Sequence, residues 1–142
     1  MAEKDSIVLT FDVDSDDFTR AGEASSRLKR TLKQMGLPPD IIRRISIVMY
    51  EGEIKMVIHA HGGKITVTVD DDAVTMVLAD IGPGIPDVEK AMQAGWSTAS
   101  EAVRQQGFGA GMGLPNMKKN ADTLEIDTVV GVGTTVTAVV RL

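Results

Sequence analysis

Between Ile7 and Val13 the apolar positions recur at every second residue: Ile7, Leu9, Phe11 and Val13 alternate with Val8, Thr10 and Asp12. That period predicts a strand. From Phe18 the period lengthens. Phe18, Ala21, Ala24 or Ser25, Leu28, Leu32 and Met35 form a helical stripe. Asp14-Ser15-Asp16-Asp17 offers N-caps and first-turn acids for that helix, and Gly36 ends it. Pro38-Pro39-Asp40 opens a second helix running to about His61. Ile41, Ile42, Ile45, Val48, Met49, Ile54, Val57 and Ile58 make it apolar over much of its circumference, so it is expected to be largely buried. Gly52 lies inside it at a cost of about 1 kcal/mol relative to alanine; a close neighbour, either ligand or helix, would account for it. Gly62-Gly63 terminates the helix.

The period then returns to two. Lys64 to Asp70 places Ile65, Val67 and Val69 on one side and Thr66 and Thr68 on the other. Asp70-Asp71-Asp72 turns the chain, and Ala73 to Asp80 comes back as the second strand of a hairpin. Asp87 to Gln93 predicts a short helix after Pro86. Gly95 to Gly111 has weak periodicity and reads as a lid. Met112 to Ala121 predicts another short helix. Leu124 to Val130 and Thr134 to Leu142 close the chain as a hairpin across Gly131-Val132-Gly133. The predicted fold class is α/β: a two-layer sandwich with a mixed, mostly antiparallel sheet and the helices on one face. Strands and helices do not alternate regularly, which disfavours a doubly wound dinucleotide fold.

Bulk properties narrow this picture. The 142 residues predict one domain over 1–142, and 43% apolar residues supply its core. Aromatic residues are scarce, so the core must be aliphatic. The formal net charge of −5 argues against non-specific attraction to nucleic acid or anionic membrane. Cysteine is absent, which removes disulfides and thiolate metal sites. No apolar run approaches the ~18 residues of a membrane span, and Met1-Ala2-Glu3-Lys4-Asp5 lacks the features of a signal peptide. The expectation is a cytoplasmic protein with no nucleic-acid or membrane partner.

The candidate chemistry gathers around Asp80-Ile81-Gly82-Pro83-Gly84-Ile85-Pro86. A carboxylate at a strand end can accept a hydrogen bond from the exocyclic amine of adenine, with Gly82 and Gly84 giving the ring access to the backbone; the competing reading is a plain turn. Gly107, Gly109, Gly111 and Gly113 alternate before a helix, where backbone N–H groups bind phosphate; the competing reading is a flexible glycine loop. No lysine stands in the Walker A position. Glu51, Lys55 and His59 share one face of the second helix. Glu51 suits a general base, or Glu51 and Lys55 form an ordinary i,i+4 surface pair. His59 and His61 read as helix-end residues.

Taken together, these pieces resemble the GHKL superfamily of ATPases, which share the Bergerat nucleotide-binding fold with histidine-kinase catalytic domains. Within it the chain is similar to the single-domain bacterial anti-sigma-factor and switch-protein serine kinases. The resemblance implies roles residue by residue. Glu51 matches the N-box glutamate, a catalytic base. Asp80, Gly82 and Gly84 match the adenine-binding Asp-x-Gly-x-Gly. Gly95-Trp96-Ser97-Thr98 matches a further element of the relatives. Gly109, Gly111 and Gly113 match the glycines at the lid's end, and Gly133-Thr134 matches a Gly-Thr whose threonine supports adenine and Asp80.

One position departs from the family. The N-box asparagine that holds Mg²⁺ is here Lys55, an ammonium with donors only. Either Lys55 contacts phosphate oxygens directly and makes nucleotide binding metal-independent, or it pairs with Glu51 and plugs the pocket. Arg104 in the lid is a candidate compensating cation. The resemblance therefore implies ATP or ADP as ligand, with Mg²⁺ doubtful and no metal ligand assigned. It implies a protein partner, a sigma factor or an antagonist-type domain, bound in a nucleotide-dependent way. An active protein serine/threonine kinase acting on such a domain is the alternative. The N-terminal strand and first helix are, by the same resemblance, a homodimer surface.

Overall fold

The computed structural model describes residues 6–14, 20–85, 87–92 and 113–142. In chain order it contains β1 (Ile7–Val13), α1 (Glu23–Gln34), α2 (Pro39–Ile58), β2 (Gly63–Val69), β3 (Ala73–Asp80), α3 (Val88–Ala91), α4 (Gly113–Asn120), β4 (Thr123–Val129) and β5 (Gly133–Arg141). The strands form one sheet in the order β1-β2-β3-β5-β4. All four ladders are antiparallel, a purer pattern than the mixed sheet predicted from the hairpins. The helices cover one face, as expected for a two-layer α/β sandwich.

Registration explains the core. Phe11, Ile65, Leu78, Val136 and Ile126 lie opposite one another across all five strands. Leu9, Val67, Met76, Ala138 and Leu124 form the next row. Both rows point toward the helices and pack with Leu28, Leu32, Ile45, Val48, Met49, Met56 and Met117. Each fully buried aliphatic side chain of this kind contributes about 1.5–3 kcal/mol relative to exposure. The next row toward the end of β3 is Val13, Gly63, Asp80, Thr134 and Thr128. Alternation along β3 places Val74, Met76, Leu78 and Asp80 on the same face, so the pleat that builds the core also aims Asp80 at the helices.

The helices differ from expectation in detail. Helix α1 starts at Glu23 rather than Phe18, and its N-cap residue is Gly22, which has φ of 93° and no side chain to cap with. Of the predicted caps, Ser15 to Asp17 lie outside the described residues, as does Phe18. The helix closes with Gly36 N–H donating to Lys33 O (3.1 Å) and Leu37 N–H to Leu32 O (3.3 Å), the paired bonds of a Schellman stop. Helix α2 takes Pro39 at its first turn and ends at Ile58, about a turn before the predicted His61. Its glycine is explained by packing within the protein: a Cβ on Gly52 would overlap the Leu78 side chain and lie 3.3 Å from Met117 Cε. The close neighbours are therefore a strand and a helix. No helix among the described residues is long and apolar enough to cross a membrane.

Candidate functional site

Asp80 sits at the end of β3, and both of its carboxylate oxygens have partners. The backbone N–H of Thr134, on β5, donates to Oδ1 at 2.9 Å. Lys55 Nζ, on α2, donates to Oδ2 at 2.9 Å. The Asp80 side chain is 4% exposed and that of Lys55 14%. A pair this shielded differs from a surface ion pair. Removing one member of a buried pair leaves an uncompensated charge, at a cost of about 3–5 kcal/mol.

This partner was not foreseen. Lys55 was expected either to meet phosphate or to pair with Glu51, one turn earlier. The structure pairs it with the strand-end carboxylate instead, because the pleat of β3 turns Asp80 toward α2. An i,i+4 rule applied to one helix cannot register a partner on a strand 25 residues away.

The loop after Asp80 is clamped on two sides. Ile81 exchanges backbone bonds with the α2–β2 junction: His61 N–H donates to Ile81 O at 2.7 Å, and Ile81 N–H to Gly62 O at 3.1 Å. On the other side, Gly82 N–H donates to Val132 O (3.1 Å) and Gly131 N–H to Pro83 O (2.8 Å). Ile85 N–H donates to Thr128 Oγ1 at 2.9 Å. The two loop glycines permit this closeness. A Cβ on Gly82 would come within 2.9 Å of Ala60 Cβ, and one on Gly84, at φ of 76°, within 2.7 Å of Val129 O. The loop is thus held in place by the α2–β2 junction and by the β4–β5 turn.

Thr134 meets Asp80 through its main chain. Its hydroxyl lies 2.9 Å from Thr128 Oγ1, and the residue is 3% exposed. Gly133 passes so close that a Cβ there would collide with the Asp80 carbonyl. Thr128, which ties Thr134 to Ile85, went unnoticed in the sequence; its place directly opposite Thr134 in the closing hairpin is the signal that identifies it.

Glu51 stands one turn before Lys55 on α2. It is half-buried, and that burial pushes its carboxyl above the ordinary glutamate range, opposed in part by the Asn116 amide. Asn116 Nδ2 donates to Glu51 Oε1 at 3.4 Å. A Cβ on Gly113, the first residue of α4, would lie 3.5 Å from Glu51 Oε2. Glu51 therefore faces the beginning of α4, and a raised carboxyl there is suited to taking a proton. Asn116, three residues into α4, was another partner that sequence reasoning missed.

A glutamate on this largely apolar helix is costly to bury unless it is paired, and Glu53 is 3% exposed. Its Oε2 accepts from Ala24 N–H at 3.1 Å. Its Oε1 accepts from Ser25 N–H at 3.1 Å and from Ser25 Oγ at 2.8 Å. Glu53 is the cap that Gly22 cannot provide: a carboxylate from α2 satisfying the first turn of α1, where the helix dipole favours negative charge.

Of the remaining predicted site residues, Gly109 and Gly111 lie outside the described residues, as do Gly95-Trp96-Ser97-Thr98, Arg104 and the rest of the predicted lid. His59 closes α2, its N–H donating to Lys55 O at 2.8 Å. Among the described residues no group of three or more His, Asp or Glu is arranged to hold a metal ion. The donor set around Asp80 suits a nucleobase amine, with a fixed carboxylate at a strand end. It does not suit Mg²⁺, because the side chain beside it is an ammonium that offers no lone pair.

Residues 15–140 match the histidine kinase-like ATPase domain family. An anti-sigma F factor of Caldanaerobacter subterraneus subsp. tengcongensis is 36% identical over 100 residues, 67% of this chain and 66% of that protein, just under two thirds of its length. The serine/threonine-protein kinase RsbT of Bacillus subtilis is 30% identical over 121 residues, 82% of this chain and 85% of the kinase. An anti-sigma F factor of Bacillus licheniformis is 31% identical over 111 residues, covering 74% of this chain and 73% of that protein.

Proposed function

The chain belongs to the histidine kinase-like ATPase family, and from that premise we propose that it is an ATP- or ADP-binding regulatory protein of the anti-sigma and serine switch-kinase type. Its relatives named as anti-sigma factors and as a serine/threonine kinase support this class. In this reading it captures a protein partner, a sigma factor or an antagonist-type domain, according to the nucleotide it holds. Mg²⁺-dependent phosphoryl transfer is weak or absent. A homodimer through β1, an edge strand with Ile7 and Val8 exposed, belongs to the same proposal.

The observation that carries the reading is Asp80, fixed by the Thr134 N–H at the end of β3. In this proposal Asp80 accepts a hydrogen bond from the adenine amine, and the clamped Gly82–Gly84 segment forms the floor beneath the ring. Gly113 supplies an N–H toward phosphate at the start of α4, and the family resemblance assigns the same role to Gly109 and Gly111. Lys55 occupies the position at which the family holds its magnesium, and it contributes a positive charge of its own. A bound nucleotide supplies the phosphates whose presence the partner reads.

Calorimetry with ADP, in EDTA and then in Mg²⁺, tests this. Binding is expected in both buffers, with little change in affinity. Undetectable binding of both ADP and ATP would overturn the reading. Asp80→Asn is expected to weaken ADP more than inorganic phosphate; equal losses would remove Asp80 from base recognition.

Glu51 favours a second reading, an active serine/threonine kinase, because a half-buried carboxyl with a raised affinity for protons is a competent general base. Transfer of label from ATP to a serine of an antagonist-type domain in Mg²⁺ buffer would establish it over the first.

A further inference from the structure

The acceptor assigned to the base amine already holds a cation. Asp80 Oδ2 carries the Lys55 ammonium at 2.9 Å, while Oδ1 carries the Thr134 N–H. Both side chains are largely shielded from water, so bulk solvent does little to weaken their attraction. A base amine arriving at Oδ2 must share that oxygen with the ammonium or displace it.

Lys55 can move where Asp80 cannot. Asp80 is tied to the sheet by Thr134, whereas Lys55 projects from α2 on a flexible four-carbon stem with three donors. One turn earlier on the same helix stands Glu51, beside Gly113 and the start of α4. Lys55 therefore lies between the base-reading carboxylate and the helix end proposed to face phosphate. A ligand that brings its own anion can receive the ammonium, whereas an uncharged ligand can only take it away from its partner.

Building on the nucleotide-binding reading above, we propose that Lys55 is the residue by which this site selects nucleotides against nucleosides. In the free protein Lys55 masks Asp80. A phosphate chain draws the ammonium off Oδ2 as the base amine replaces it, so one anion substitutes for another. A nucleoside must break the pair and offers nothing in return. Lys55 thus adds to ADP affinity and subtracts from adenosine affinity, and the second effect separates this proposal from simple attraction of a lysine for phosphate.

The test is calorimetry in EDTA with adenosine and ADP, on wild type, Lys55→Met and Lys55→Gln, each first shown by thermal melting to be folded. Two variants are used because methionine leaves Asp80 Oδ2 with neither a counter-charge nor a donor, whereas glutamine retains an uncharged donor. Either folded variant is expected to bind adenosine at least about tenfold more tightly than wild type and ADP more weakly, narrowing the gap between the ligands. Unchanged or weaker adenosine binding in the folded variants, with ADP still bound by wild type, would overturn the masking role and leave the nucleotide reading standing. Failure of wild type and variants alike to bind either ligand would overturn both.

Discussion

Replacing Glu53 with alanine should destabilise the protein by about 3–5 kcal/mol. The substitution leaves the N–H groups of Ala24 and Ser25 without their acceptor, at about 1–3 kcal/mol for each buried orphan. It also removes a negative charge from the start of α1, worth up to ~2 kcal/mol in partly buried geometry. The sum is reduced where water enters the space vacated beside Gly22. For a chain of 142 residues the loss corresponds to a fall of roughly 10–15 °C in Tm. Urea denaturation followed by circular dichroism gives the free energy directly, and an unchanged m-value would show that the transition is the same. Ser25→Ala should cost about 1 kcal/mol, and the double variant less than the sum of the two, because they share the Ser25 Oγ–Glu53 bond. A loss below about 1 kcal/mol for Glu53→Ala would refute the capping assignment.

Gly52→Ala should lower stability by about 1–3 kcal/mol even though alanine is the better helix former, because the methyl must displace Leu78 and Met117; a rise in Tm would show that those side chains repack freely. Glu51→Gln should change how stability depends on pH. Burial raises the Glu51 carboxyl above its ordinary value of 4.5, so the folded state holds this proton more tightly than the unfolded state. The stabilising contribution is therefore complete below that value and is lost as pH rises through the folded one. The variant should gain on wild type as pH is raised, with no advantage in acid, and parallel urea midpoints across the range would contradict this. Lys55→Asn should make ADP binding respond to Mg²⁺, and calorimetry with and without the ion reads the difference; identical affinities would mean that more than one side chain bars the metal.

The strands were the most legible part of the molecule. The period of two along β1, and the short turn that returns an apolar run beside β2, let Ile7–Val13 and Ala73–Asp80 be read to the residue. The start of α1 was less legible because its cap comes from a residue 28–29 positions away rather than from the preceding acids. Lys55 shows the same limit. Its helical neighbour Glu51 was visible in the sequence, while its actual partner depends on which way the last residue of β3 points. Val74, Met76 and Leu78 alternate inward, and Asp80 continues the series. Ala73 to Ala79 is almost continuously apolar, so the inward series is hidden in the composition and emerges only in the burial pattern of β3.

The position of β5 has a consequence for how the molecule matures. This strand is inserted between β3 and β4, and its Thr134 reaches back to Asp80, 54 residues earlier in the chain. A polypeptide emerging from the ribosome can form the β2–β3 hairpin early, but one long edge of β3 then waits unpaired while the intervening residues are made. Until β5 docks, Asp80 has Lys55 available and lacks the N–H that fixes its orientation. On the proposed reading of the site, an Asp80 oriented to read a base therefore arrives only with completion of the sheet. Lys55, on a helix made before β3, is a counter-charge already available to this core-facing carboxylate while β5 is still to come.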